Sequence, residues 1–166
     1  MSSRTLLVLA LALALAACGF RLRGTANVPF ETLYVPQSKG GIGLELRRTI
    51  EAGTSAKVID DARKAQAILA ISKEARGKQI LSLTGAGRVR EYKLTYQVEF
   101  RVHDGKGGEF VPTNAIELER EMTFSDTQVL AKESEEQLLF RDMQSQAVQL
   151  ILRRLGGATP AKPRVE

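Results

Sequence analysis

One cysteine, one histidine and no tryptophan occur among 166 residues, and aromatic residues make up only 5% of the chain. A lone cysteine excludes an intramolecular disulfide. Cys18 and His103 together supply too few soft or imidazole ligands for a structural zinc, so no metal site is expected. Any Ser-His-Asp or Cys-His mechanism would have to draw on His103, which follows an alternating run and precedes a glycine-rich turn. A solvated imidazole is the expectation there, and no catalytic residue is assigned. The remaining composition, 43% hydrophobic and 26% charged, is that of an ordinary globular chain of one-domain length.

What is present begins with a leader. Met1–Thr5 carry one positive charge, Arg4. Leu6–Leu15 are continuously apolar, and Ala16 and Ala17 follow. This order of charged, apolar and small residues is the grammar of a secretory signal, and the apolar run is too short for a spanning helix. Residues 1–17 are therefore expected to be removed. The 149 residues left carry a net charge of +4 rather than +5 and suffice for a hydrophobic core without staples. An exported basic protein meets little nucleic acid, so none is expected as a partner. Anionic lipid or lipopolysaccharide suits the excess of Lys and Arg better.

Leu15-Ala16-Ala17-Cys18 resembles the lipobox of bacterial lipoproteins. The resemblance implies acyl chains on Cys18, the only cofactor-like groups expected, and insertion into membrane lipid through them. At about 0.8 kcal/mol per buried methylene, one chain binds marginally and two or three hold firmly. Gly19 stands where this class of proteins uses Asp for inner-membrane retention, which implies the periplasmic leaflet of the outer membrane.

Residues 18–30 show neither helical nor strand periodicity and read as a linker; a single domain is expected over 31–156. Thr32–Val35 and Ala56–Ile59 suit short strands. Between them Ile42, Leu46 and Ile50 recur at helical spacing, with Gly53 as the expected C-terminal cap. Ala67–Ser72 suits a buried strand, extending toward Leu83, before a hairpin at Gly85-Ala86-Gly87. From Tyr92 to His103 apolar and polar residues alternate for six cycles, which predicts a long strand with one wet face. Asp104–Gly108 supplies a turn, and Ile116, Leu118, Met122 and Phe124 repeat the alternation on the return, with Arg120 interrupting the apolar side near an edge. A final helix is expected to start at a Ser134/Gln137 capping box, with Glu133, Glu135 and Glu136 in its first turn and a stop at Gly156-Gly157. Residues 157–166 read as a disordered tail. The fold class predicted is α/β: a two-layer sandwich with two helices packed on one face of a mainly antiparallel four- to five-stranded sheet.

Glu117, Glu119 and Glu121 have the spacing of a glycosidase carboxylate pair, but cross-strand cations such as Lys93 and Arg101 explain the same three residues, and that is the preferred reading. A wall-active enzyme on this strand is the most distant alternative.

Three blocks in order carry a wider resemblance: Ala17-Cys18-Gly19-Phe20-Arg21-Leu22-Arg23; the glycine turn followed by Glu91-Tyr92 and the alternating strand; and Val129-Leu130-Ala131-Lys132 with Glu136, Met143, Ala147 and Leu152-Arg153-Arg154-Leu155. Together they resemble the lipopolysaccharide-assembly lipoproteins of the LptE (RlpB) family. The resemblance implies a non-enzymatic protein that plugs and helps assemble the large outer-membrane barrel LptD and binds lipopolysaccharide during its delivery to the outer leaflet. It implies Lys132 as a lipopolysaccharide contact. The family's hairpin cation falls near Gly85 here, leaving Arg88 and Arg90 as nearby substitutes. A plug in a polar lumen needs a hydrophilic face, so Lys93, Arg101 and Glu119 are candidate barrel contacts. The alternative is a lipoprotein of another outer-membrane assembly or transport complex.

Overall fold

The computed structural model describes residues 27–36, 41–159 and 162–163. The leader 1–17, Cys18 and the linker as far as Ala26 lie outside the described residues. Chain order is β1 (Thr32–Tyr34), α1 (Ile42–Gly53), β2 (Lys57–Ile59), a 3-10 turn (Ala62–Lys64), β3 (Ala67–Leu83), β4 (Val89–His103), β5 (Gly108–Thr123), α2 (Val129–Gly156) and β6 (Lys162–Pro163). The strands form one sheet in the order β2-β1-β3-β4-β5-β6. β1 runs parallel to both β2 and β3, as the α1 crossover requires, and the other pairings are antiparallel. The expected sandwich is therefore present, with a mixed sheet and a sixth, two-residue strand. That strand pairs Lys162 and Pro163 with Glu109 and Gly108, so the stretch read as a disordered tail contains sheet structure.

The alternation of β4 is kept without a slip from Leu94 onward. Leu94, Tyr96, Val98, Phe100 and Val102 are all buried under the helices, which contribute Ile42, Leu46, Ile50, Met143, Ala147, Ile151 and Leu155. The core also reaches into the expected linker. Val28 and Phe30 are buried, and the Phe30 ring meets Phe110 edge-on at 5.2 Å, so the folded unit starts before residue 31. Burying such a ring relative to leaving it in water is worth about 1.5–3 kcal/mol, which explains why an aperiodic segment is held.

The helix ends differ from the expectation. Gly53 is the last residue of α1, and its cap is Thr54, whose amide and hydroxyl both donate to the Ile50 carbonyl at 2.9 Å. A Cβ at Gly53 would stand 3.0 Å from Leu152 Cδ2, so glycine here permits close approach of α1 to α2. α2 starts at Val129, not beside Ser134; its N-cap is Gln128, with no side-chain cap bond. Its first turn holds no acid, and Ser134 Oγ instead donates back to the Leu130 carbonyl. Arg153 and Arg154 do occupy the last turn, where cations suit the helix dipole.

β3 changes face part-way. Ala67 and Leu69 point into the core, but a register shift between Ile71 and Lys73 inverts the parity. Beyond it Glu74, Arg76 and Lys78 turn toward the helices: Glu74 accepts the Ile42 amide, Arg76 lies over the rings of Tyr96 and Phe140, and Lys78 pairs with Glu136 at 2.6 Å. β1 covers β3 only at Ala67 and Ile68, and β6 covers β5 only at Gly108 and Glu109. Among the described residues both long strands therefore have free outer edges along most of their length. Arg120 sits on the free part of β5, as expected, and reaches Gln146 of α2 at 2.7 Å.

Candidate functional site

The turn from β3 to β4 is closed by Thr84, whose amide donates to the Arg88 carbonyl at 2.7 Å and whose carbonyl accepts from Gly87 at 2.9 Å. Gly87 has φ of +73°, a conformation that favours glycine. The segment after β5 folds back on this hairpin. The Phe124 amide donates to the Arg90 carbonyl at 2.8 Å, and the Phe124 ring meets Tyr92 edge-on at 5.3 Å. These contacts bring the three sequence-selected cations Arg88, Arg90 and Lys132 to one end of the sheet, together with the start of α2.

Their circumstances differ. Arg88 faces Asp126 at 3.6 Å with both side chains more than half exposed. A pair of that kind is worth about 0–1 kcal/mol, so the guanidinium is readily given up to a stronger anion. Arg90 is exposed and has no side-chain partner among the described residues. Lys132 is only 14% exposed, and its ammonium donates to Thr123 Oγ1 at 3.1 Å and to Glu135 Oε2 at 2.8 Å. It braces α2 against β5 with a proton left for a third acceptor.

Apolar side chains surround these cations on the same end. Leu83 and Ile80 of β3 and Val129 and Leu130 of α2 are exposed, Leu130 to 80%. The first turn of α2, which contains no acidic residue and whose N-cap Gln128 makes no side-chain cap bond, lies at this end too. Guanidinium and ammonium donors beside uncovered Leu and Val form a surface that suits an amphiphile with an anionic head. The apolar half was not anticipated. Its signal was present in Val129-Leu130, which precedes any capping residue and so reads as loop.

On the wet face Lys93 and Glu119 meet at 3.1 Å, and Gln97 donates to Glu117 at 2.9 Å. Arg101 is not part of that group. It lies eight residues further along β4, roughly 26 Å away at strand rise, and faces Glu109 at 3.7 Å. His103 is half-buried rather than freely solvated: its Nδ1 accepts the Gly105 amide at 3.0 Å, and burial together with nearby Arg101 lowers its pKa below the usual imidazole range. Among the described residues no three His, Cys, Asp or Glu side chains cluster in a way that would hold a metal ion, and no helix is long and apolar enough to cross a membrane. Cys18 lies outside the described residues.

The family model for LptE, described as lipopolysaccharide-assembly, matches residues 25–155, from before β1 to the last turn of α2. The chain belongs to the LptE family. Among similar proteins, the LPS-assembly lipoprotein LptE of Yersinia enterocolitica is 32% identical, with 90% of this chain and 74% of that protein covered. Lipoprotein B of Nitrosomonas europaea, solved by NMR, is 45% identical with a TM-score of 0.69 over 81% of this chain and 88% of that one. The crystal structure of the rare lipoprotein B of Shewanella oneidensis is 28% identical, with a TM-score of 0.63 over 76% of this chain and 92% of that one. Membership in LptE thus agrees with the resemblance read in the three sequence blocks, and it makes this chain one of the lipopolysaccharide-assembly lipoproteins.

Proposed function

We propose that this LptE chain is an outer-membrane lipoprotein, acylated at Cys18 after loss of residues 1–17, that plugs and helps assemble an LptD-like β-barrel and binds lipopolysaccharide on its way to the outer leaflet. The observation that carries the glycolipid part is the hairpin end, where Arg88, Arg90 and Lys132 adjoin exposed Leu83, Val129 and Leu130. Lipid A joins phosphates to acyl chains, and this end offers complements to both. The wet face, with Lys93, Glu119 and Arg101, suits contact with polar groups of a barrel lumen. The protein's side chains make and break no bonds in this role. Glu117 and Glu119, the residues a glycosidase reading would use, are engaged by Gln97 and Lys93.

The test is detergent extraction of the acylated protein from its native membrane, affinity purification, and analysis of what accompanies it. A large barrel with bound lipopolysaccharide is the expected result. Purification with a different outer-membrane complex would move the assignment to another lipoprotein machine, and purification alone, without glycolipid, would overturn it. Lys93→Glu with Arg101→Glu is expected to reduce recovery of the barrel; unchanged recovery removes the wet face as the contact.

A further inference from the structure

The cations of the hairpin end are not equally available. Of the three, only Arg90 has no side-chain partner among the described residues. Arg88 and Lys132 each face an acid of the same end, Asp126 at 3.6 Å and Glu135 at 2.8 Å. Among the described residues neither of these carboxylates has a second donor. The neighbouring acids are placed differently. Glu136 is committed to Lys78 at 2.6 Å, and Glu91 accepts the Ser82 hydroxyl. Glu133 is exposed and touches no cation among the described residues.

At Lys132 two acceptors share the work unequally. Thr123 Oγ1, on β5, holds the ammonium at 3.1 Å from the sheet side. Glu135 lies three residues on along α2 and is 43% exposed, so its side chain can swing outward without moving the helix. The ammonium then stays in place and faces solvent. At the hairpin, Arg88 and Asp126 are both exposed enough to part as readily. An incoming phosphate monoester carries about −1.5 to −2 charges at neutral pH against the single charge of a carboxylate, so it wins the exchange. It gains only the difference between the new pair and the old one. An internal pair worth about 0–1 kcal/mol lowers affinity for that anion by up to about fivefold.

We propose that Asp126 and Glu135 are positioning residues that hold Arg88 and Lys132 while the hairpin end is empty and exchange with the phosphates of lipopolysaccharide when it arrives. The glycolipid thus binds by displacement and leaves as the carboxylates return. The inference rests on the reading of this end as the glycolipid site and adds how the site lets go. Unpaired Arg90 makes the first contact, and the two paired cations follow. A protein that passes its ligand onward needs such a limit on affinity, and two acids already beside the cations supply it without any change of fold.

The mature acylated chain in detergent, titrated with diphosphorylated lipid A, tests this. Asp126→Asn and Glu135→Gln keep the shape of each side chain and remove its competing charge. Each is expected to tighten binding about two- to fivefold and to slow release by a similar factor. Both gains are expected to vanish with lipid A stripped of its phosphates, which a merely structural effect would not do. In an Arg88→Ala background Asp126→Asn is expected to lose its effect, because the acid then has no cation to hold. Glu133→Gln removes the same charge from the same stretch of α2 without touching a cation. At about 0.15 M salt, where charges are screened over roughly 8 Å, it is expected to change affinity less than Glu135→Gln does. An equal gain from Glu133→Gln would reduce the effect to net charge and overturn the exchange. Binding by the parent chain that neither Asp126→Asn nor Glu135→Gln alters overturns the exchange alone. Failure of the parent chain to bind lipid A overturns the glycolipid reading of this end and the exchange with it.

Discussion

The Tyr96 hydroxyl donates to Glu74 Oε1 at 2.7 Å, and the same carboxylate accepts the Ile42 amide at 3.2 and 3.3 Å. Glu74 therefore caps α1 from a strand 32 residues away, at a helix start where Gly41 offers no side chain. Burial, followed by the bond to Glu74, raises the pKa of Tyr96, so its hydroxyl stays a donor at any ordinary pH. Tyr96→Phe is expected to cost about 1 kcal/mol in urea denaturation, and Glu74→Ala about 1–2 kcal/mol, as for other lost caps. A double variant whose loss equals the sum of the two would show that they act separately and would refute the shared cap.

Gly77 of β3 stands opposite Thr95 of β4, and a Cβ added there would collide with Thr95 Oγ1. Gly77→Ala is expected to destabilise by about 1–3 kcal/mol, the usual range for overpacking, although alanine is otherwise the better strand residue. Adding Thr95→Ala should recover most of that loss. A thermal melt that shows no recovery would place the strain elsewhere.

The three hairpin cations should separate in their effect on stability. Arg88→Ala with Arg90→Ala removes exposed charges and is expected to change unfolding free energy by no more than about 0.5 kcal/mol. Lys132→Ala removes a mostly buried brace and leaves Glu135 and Thr123 without their donor, so a loss of about 1–3 kcal/mol is expected. Glycolipid binding should fall in both variants, and more at low than at high ionic strength. Equal stability of the two would contradict the bracing geometry.

His103 gives the acid limb a definite sign. Its pKa is lowered in the fold, so at alkaline pH, well above the unfolded value of about 6.5, both folded and unfolded states hold it uncharged and it contributes nothing. As pH falls through about 6.5 the unfolded chain takes up the proton first, and stability declines. His103→Gln is expected to flatten the decline between about pH 7 and pH 5. Asp104, lowered by bonds from backbone amides, acts below that window: its stabilising effect is lost only as pH falls through its depressed folded pKa. An unchanged slope in His103→Gln, read by urea titration at the two pH values, would exclude the imidazole as its source.

Legibility in the sequence followed how local each determinant is. The run Tyr92–Val102 showed its face directly because one unbroken strand under two helices needs only period two. β3 hid its parity: the bulge after Ile71 turns Glu74, Arg76 and Lys78 inward, and three charged residues on a core-side stripe resemble no pattern. The beginning of α2 was displaced because Gln128 caps it without a side-chain bond, while Ser134 and Gln137 imitate a capping box inside the helix. At the hairpin, residue types pointed to Arg88, Arg90 and Lys132. The Asp126, Thr123 and Phe124 contacts that gather them depend on how the segment after β5 returns to β4, which no local spacing encodes.

The inward charges of β3 also govern how copies of the protein meet. A second molecule aligning its own β3 antiparallel along the outer edge that β1 leaves uncovered would bring the Arg76 and Lys78 charges of the two copies onto one face of a joined sheet. Like charges gathered there oppose edge-to-edge pairing.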